Sequence, residues 1–224
     1  MGSTKSQPDT TANRERAFRL KENLRGFFDW ERTAVERHFP SRVHVLVAGA
    51  GGGREILALR RAGYWAEGFE CNPVLVEASN VIFDQLGQAR GIAFCPPDQV
   101  FSGASSYGGI IVGWSAYSHI PTRQRRVAFL RGLRQRALPG SPVLVSFFAR
   151  SGDSRYDVLA FRIANWTRRL SHGRKEPVEI GDHLNWSYSH WFTREEIESE
   201  LRDSGIRPEH FGDVGEGCAV GVIE

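Results

Sequence analysis

The feature that most narrows the possible folds is a glycine-rich turn set directly behind a short apolar run, within Arg42 to Asn72 (RVHVLVAGAGGGREILALRRAGYWAEGFECN). Val43 to Ala48 is apolar, β-branched and bounded by turn residues, which predicts a buried strand of a parallel sheet. Gly49, Gly51, Gly52 and Gly53 follow at once. They tolerate positive φ and carry no Cβ, so a ligand can lie against the backbone where the strand turns into a helix. Ile56, Leu57 and Leu59 give Arg54 to Arg61 a helical pattern, and Gly63 is placed to end it. A second apolar segment, Trp65 to Phe69, delivers Glu70 to the end of another strand. A carboxylate there can accept hydrogen bonds from two vicinal ribose hydroxyls. Strand, glycine turn, helix, strand and acid, in that order, describe a nucleoside-binding βαβ unit.

The glycine spacing argues against a dinucleotide. That fingerprint needs GxGxxG, with the third glycine allowing close helix packing. Counted from Gly49 the third place is Arg54, and counted from Gly51 it is Ile56.

With 224 residues and 41% hydrophobic content, the chain can bury one substantial core, so one domain with decorations is expected. No run approaches the ~18 apolar residues of a membrane span, and the polar N-terminus does not read as a signal peptide. Cys71, Cys95 and Cys218 are odd in number and lack zinc spacing, which predicts reduced thiols and a cytoplasmic setting. A net charge of +3 is too small and too dispersed to indicate nucleic acid by itself.

Residues 1–13 lack large apolar side chains and are expected to form a disordered tail. Arg14 to His38 carries Phe18, Leu24, Phe28 and Val35 near a helical period and predicts a helix. As an N-terminal element over 14–40, it is placed either to pack on the sheet edge or to cover the ligand site as a lid. Pro73 to Leu86 predicts another helix, Gly91 to Phe94 a strand, and Tyr107 to Gly113 a further strand ending in WSAYSHIP. Ligands of open α/β sheets bind at carboxyl strand ends, so Trp114, Ser115, Tyr117, Ser118 and His119 are positioned candidates. The helix beginning at Thr122 buries Val127, Leu130 and Leu133 in this reading, with six arginines on a solvated remainder. Val143 to Phe148 makes a fifth strand. Thr193 with Glu196 predicts a capping box, and Ile206 to Phe211 and Cys218 to Ile223 predict the last two strands.

Taken together, VLVAGAGGGRE, GFECNP, PPDQV, YGGIIVGWSAYSHIP and LRQRALPGSPVLVSFF resemble the class I S-adenosylmethionine-dependent methyltransferases, over Val43 to Phe148. The resemblance implies a Rossmann-like three-layer α/β sandwich over 41–224, with a mostly parallel seven-stranded sheet and its last strand antiparallel. It also implies S-adenosyl-L-methionine as cofactor. Gly49, Ala50, Gly51 and Gly53 would line its methionine part, Glu70 would bind the ribose, and Cys71 would lie beside the adenine. Asp98 and Gln99 would hold the adenine edge, and Trp114 would stand near the sulfonium. The family usually has an acid where this chain has Val47, an acid that helps orient the cofactor's ammonium group.

Methyl transfer from a sulfonium is an in-line displacement that needs an aligned acceptor and exclusion of water, with no metal. A hydroxyl, thiol or protonated amine also needs a base, and His119 is the candidate by position. Residues 149–191 are expected as an insertion over the site. Trp186, Tyr188 and His190, with Tyr117, are its candidate acceptor contacts, able to pack a flat acceptor or cradle a cation. A small-molecule acceptor methylated on oxygen, with nitrogen second, is the resulting expectation, and self-association stays open. Two alternatives are a nucleic-acid or protein methyltransferase and a non-catalytic binding module of the same fold. The first wants a basic groove or an Asn-Pro-Pro-aromatic motif, absent from this sequence, and the second is favoured by Val47.

Overall fold

The computed structural model describes residues 21–97, 99–101, 106–152, 161, 178–184, 188–212 and 217–224. The tail at 1–13, Asp98, Trp186 and most of the expected insertion, residues 153–160 and 162–177, lie outside the described residues.

The elements run α1 (Asp29–His38), β1 (His44–Ala48), α2 (Arg54–Arg61), β2 (Trp65–Glu70), α3 (Pro73–Gln85), β3 (Ile92–Phe94), β4 (Gly109–Val112), a 3-10 turn (Ala116–His119) and α4 (Arg123–Arg134), followed by β5 (Pro142–Ala149), β6 (Asp182–Leu184), β7 (Tyr188–Phe192), α5 (Arg194–Asp203), β8 (Ile206–Gly212) and β9 (Gly217–Ile223). Strands β3-β2-β1-β4-β5 are parallel neighbours in that order. Beyond β5, β9 runs antiparallel, and β8 pairs antiparallel with β9. The architecture is the expected Rossmann-like sandwich with a reversed last strand.

Side chains on β1 alternate between the two faces, as the two-residue period of a strand requires. Leu46 and Ala48 join the layer beneath α4 and α5, with Leu130, Leu133, Ile197 and Leu201. Val45 and Val47 join the layer beneath α1, α2 and α3, with Val35, Ile56 and Phe83. Val47 is therefore a core position here, fully buried, and an acid in its place would put a charge among aliphatic side chains.

Three features depart from the sequence reading. Among the described residues the sheet has nine strands, two more than the expected seven, because β6 and β7 form an antiparallel hairpin. The outer edge of β5 is shared: β9 takes Pro142 to Phe147, and β7 takes Phe148 and Ala149 in parallel. The N-terminal helix is not continuous either. Its described part breaks at residues 25–28, where Gly26 takes φ 86°, and α1 restarts with Glu31 accepting the Phe28 N–H at 2.8 Å. Finally, the arginine face of α4 is not wholly solvated. Arg126 is 1% exposed, and it donates to Glu200 on α5 and to Glu179 just before the hairpin, each at 2.7 Å. The capping box of α5 forms as expected, with Glu196 N–H donating to Thr193 Oγ1 and Thr193 N–H to Glu196 Oε2.

Candidate functional site

A cavity of about 450 Å³ opens at the carboxyl ends of β1, β2 and β4. Its floor is the glycine turn. Gly49, Gly51 and Gly53 take φ of 66°, 52° and 96°, a region in which side chains with a Cβ are strained. At Gly49 the constraint is double, because a Cβ there would meet the Ala116 Cβ at 2.7 Å.

Glu70 stands at the end of β2 and is 7% exposed. Its Oε2 accepts the Gly51 N–H and its Oε1 the Asn72 N–H, both at 2.9 Å. Two backbone donors thus hold the carboxylate against the cavity, and each oxygen keeps a lone pair for a further donor. Two vicinal hydroxyls of a ribose fit that pair of acceptors. Cys71, Cys95, Pro96, Pro97 and Gln99 continue the wall, and Leu75 and Phe129 add apolar surface suited to a base.

Trp114 follows β4 and is half exposed at the cavity, its backbone N–H donating to Glu55 Oε1 at 3.2 Å. Its indole lies 5.4 Å from the ring of Phe28 in the N-terminal segment. That segment also rests on the glycine turn: a Cβ on Gly52 would collide with the Asn23 side chain, and Arg54 donates to Gly26 O at 3.0 Å.

His119 closes the 3-10 turn, is exposed and lines the cavity. Its Nδ1 lies 3.0 Å from Tyr188 O on β7. A carbonyl oxygen only accepts, so Nδ1 carries the hydrogen and the lone pair of the neutral ring is on Nε2. The hairpin thereby fixes the tautomer a base would need. The ring meets Phe148 edge-on at 5.9 Å; Phe148 stacks on Trp191 at 5.2 Å, and Trp191 meets His183 at 5.6 Å.

The cavity therefore brings together Gly49, Gly51, Glu70, Cys71, Gln99, Trp114 and His119. Ala50 and Gly53 shape the turn from behind, where Ala50 N–H donates to Phe69 O and Gly53 is packed near Phe83. Tyr117 is not at the cavity. It is fully buried, and its hydroxyl donates to Glu200 at 2.6 Å. Burial and the Glu200 charge hold its pKa far above that of a free phenol. His190 is buried too, its Nδ1 2.7 Å from Asp182 Oδ1, and Tyr188 gives its hydroxyl to the same oxygen at 2.8 Å. The cause is the β6–β7 pairing, which turns these groups toward Asp182 and leaves Phe148 and Trp191 as the rings beside His119. Glu179, Asp182 and His190 bring their ligand-type atoms within 4.8 Å of one another, and Arg126, donating to Glu179 at 2.7 Å, already supplies the positive charge there. The sequence reading counted Phe28 only as one apolar position of a helix, because a phenylalanine in an amphipathic pattern carries no local signal that its ring meets Trp114.

No protein-family model and no curated sequence matches the chain. Solved structures do. A Methanosarcina mazei S-adenosylmethionine-dependent methyltransferase superposes with a TM-score of 0.65 at 15% identity, over 89% of this chain and 100% of its own. The fold is that of the class I methyltransferases. A Micromonospora echinaspora amino pentose methyltransferase, solved with S-adenosylmethionine bound, gives 0.64 at 13% identity, with 100% of each chain covered. Magnesium protoporphyrin IX methyltransferase from Synechocystis, with S-adenosylhomocysteine bound, gives 0.57 at 16% identity over 98% of this chain and 90% of its own. In this class I fold, the cavity lies at the carboxyl strand ends where open α/β sheets take their ligands. Among the described residues no helix is long and apolar enough to cross a membrane.

Proposed function

We propose that the chain is an S-adenosylmethionine-dependent methyltransferase acting on a flat small-molecule acceptor, with a hydroxyl as the favoured methyl acceptor. One observation carries the reading: Glu70, held by two backbone N–H groups, shares a single cavity with the glycine turn and with His119. The size suits a cofactor of this class, since such ligand sites span about 300–1,000 Å³. S-adenosylmethionine, when bound, supplies an electrophilic methyl group on a sulfonium. Glu70 accepts from the ribose, and Gln99 and Cys71 border the adenine. Phe28 and Trp114, with the segment from Asn23 to Phe28, cover the methionine end and limit water there, the lid role expected of the N-terminal region. Nε2 of His119 would accept the proton that the acceptor hydroxyl gives up.

The flat acceptor follows from the ring series His119, Phe148, Trp191 and His183, spaced 5.2 to 5.9 Å apart. The structural relatives act on acceptors as different as an amino pentose and a magnesium porphyrin, so the fold leaves that choice to side chains. A test pairs calorimetry with an acceptor panel. Wild-type protein should bind S-adenosylmethionine and S-adenosylhomocysteine, and should release the latter with phenols faster than with amino sugars. Binding of neither ligand would sink the reading, whereas turnover on amines alone would move the acceptor to nitrogen.

A further inference from the structure

Two of the three cysteines meet in the cavity wall. Glu70 and Phe94 are register partners at the ends of β2 and β3, and the pairing runs one residue further, because the Cys95 N–H donates to Glu70 O at 3.0 Å. In a parallel ladder an N–H reaches the residue just before its own register partner, as Gly68 N–H, opposite Ile92, reaches Gly91 O. Cys95 therefore stands opposite Cys71. Neighbouring strands lie about 4.8 Å apart, within the ~4.4–6.8 Å between Cα atoms that a disulfide spans.

Both residues carry thiols and both line the one cavity, so their side chains turn toward the same space. They differ in access. Cys71 is exposed and Cys95 is buried, and burial raises the pKa of the Cys95 thiol. The exposed sulfur is the one a reagent in solution reaches first, and the buried one stands behind it as a resolving partner. Cys218 cannot take that part, because it lies on β9 with β5, β4 and β1 between it and β2.

We propose that Cys71 and Cys95 are a reversible thiol–disulfide pair that closes the cofactor cavity when a low-molecular-weight disulfide such as glutathione disulfide oxidises it. The closing of the cavity to cofactor rests on the S-adenosylmethionine reading above, whereas the pair itself does not. The Cys71 thiolate attacks one sulfur of glutathione disulfide, forming a mixed disulfide and releasing one glutathione. Cys95 then loses its proton and attacks Cys71 Sγ, and the second glutathione leaves. Two protein thiols are oxidised to one disulfide, one glutathione disulfide is reduced to two thiols, and the two protons end on glutathione. The bridge draws Cys71 against the end of β3. Asn72, whose N–H holds Glu70 Oε1 at 2.9 Å, is the next residue, so the bridge also pulls on the bend that sets the carboxylate. Ligand and disulfide therefore oppose each other, and by linkage each weakens the other by the same factor.

The test equilibrates the full chain with glutathione and glutathione disulfide over a range of ratios, with and without S-adenosylhomocysteine, and reads the products by intact mass and peptide mapping. Without ligand a Cys71–Cys95 bridge should form, seen as the loss of two hydrogens and as a cross-linked peptide pair, and dithiothreitol should reverse it. Calorimetry should find S-adenosylhomocysteine affinity about tenfold or more lower in the oxidised form, and saturating ligand should shift the redox midpoint toward the thiols by the matching factor. Cys218→Ser should keep both responses, and Cys95→Ser should lose them and stop at a mixed disulfide on Cys71. Glutathione adducts without an internal bridge, a bridge that engages Cys218, or equal affinity of the two forms would overturn the proposal. If the reduced protein binds no S-adenosylhomocysteine, the cofactor reading fails and the gating with it, while the bridge is still decided by mass alone.

Discussion

Glu70 Oε2 accepts the N–H of Gly51 at 2.9 Å, so the acid at the end of β2 and the glycine turn after β1 are one unit. The contact fixes the carboxylate before any ligand arrives, and its remaining lone pairs face the cavity. Pre-set acceptors of this kind lower the ordering cost of binding. Glu70→Ala should therefore remove two ligand hydrogen bonds and loosen the turn together. We expect S-adenosylhomocysteine affinity to fall about 30-fold or more, with the larger share lost from the ribose end. Calorimetry comparing S-adenosylhomocysteine with its 2′,3′-dideoxy analogue checks this, since the dideoxy ligand should lose only the smaller share that comes from the loosened turn.

Tyr188 O occupies His119 Nδ1 at 3.0 Å and leaves Nε2 for the proposed role as base. His119→Gln can keep a donor toward that carbonyl but offers no basic nitrogen to an acceptor. Cofactor affinity should hold, and turnover should slow about tenfold or more, the low side of general-base effects. The measurement is single-turnover methyl transfer beside calorimetry on the same preparation. Unchanged turnover would remove His119 from the mechanism.

How far the sequence carries depends on whether a signal is local. Strand β1, the glycine turn, α2 and Glu70 are contiguous, and each is dictated by period, φ preference or strand end, so the cavity wall they form is legible in sequence. The acceptor half is not. Tyr117 and His190 look available in sequence because they flank predicted loops, but their environment comes from Glu200, 83 residues beyond Tyr117, and from a hairpin whose β6 spans only three residues. Arg126 misleads in the same way. One arginine among six on a helix is a solvated residue until Glu200 and Glu179 arrive from elsewhere in the chain. Val47 shows the reverse case, in which the absence of an expected acid is visible in sequence but its place in the aliphatic layer beneath α1, α2 and α3 is not.

The Arg126–Glu200 pair gives a stability prediction. Arg126 Nη2 lies 2.7 Å from Glu200 Oε1, both residues are 1% exposed, and the Tyr117 hydroxyl also donates to Glu200. Burial draws the Arg126 pKa down, but the bonds and charges of Glu200 and Glu179 outweigh it and hold the guanidinium charged. Arg126→Met leaves two carboxylates without their cation and should destabilise the fold by about 3–5 kcal/mol. Urea unfolding measures it. The double variant Arg126→Met with Glu200→Gln should recover part of the loss, because the stranded charge and not the missing attraction is the main cost.

At the other face of the sheet, the imidazoles of His38 on α1 and His210 on β8 stack with centroids 5.7 Å apart. Burial holds the His38 pKa below the ordinary 6.5, with His210 and Arg37 adding repulsion and Glu209 opposing them. The unfolded chain therefore binds this proton more readily than the native one, so stability is full above about pH 6.5 and is lost as pH falls through the native pKa of His38. Its Nε2 is buried with no hydrogen-bond partner among the described residues, so an apolar ring costs the site little. His38→Phe should then match or exceed wild type near pH 8 and gain on it as pH falls toward about 5.5, an advantage that appears only where the unfolded histidine titrates. Thermal melts of the two proteins across that range decide the matter. A stability difference that does not change with pH would mean that His38 stays as easily protonated in the native fold as in the unfolded chain.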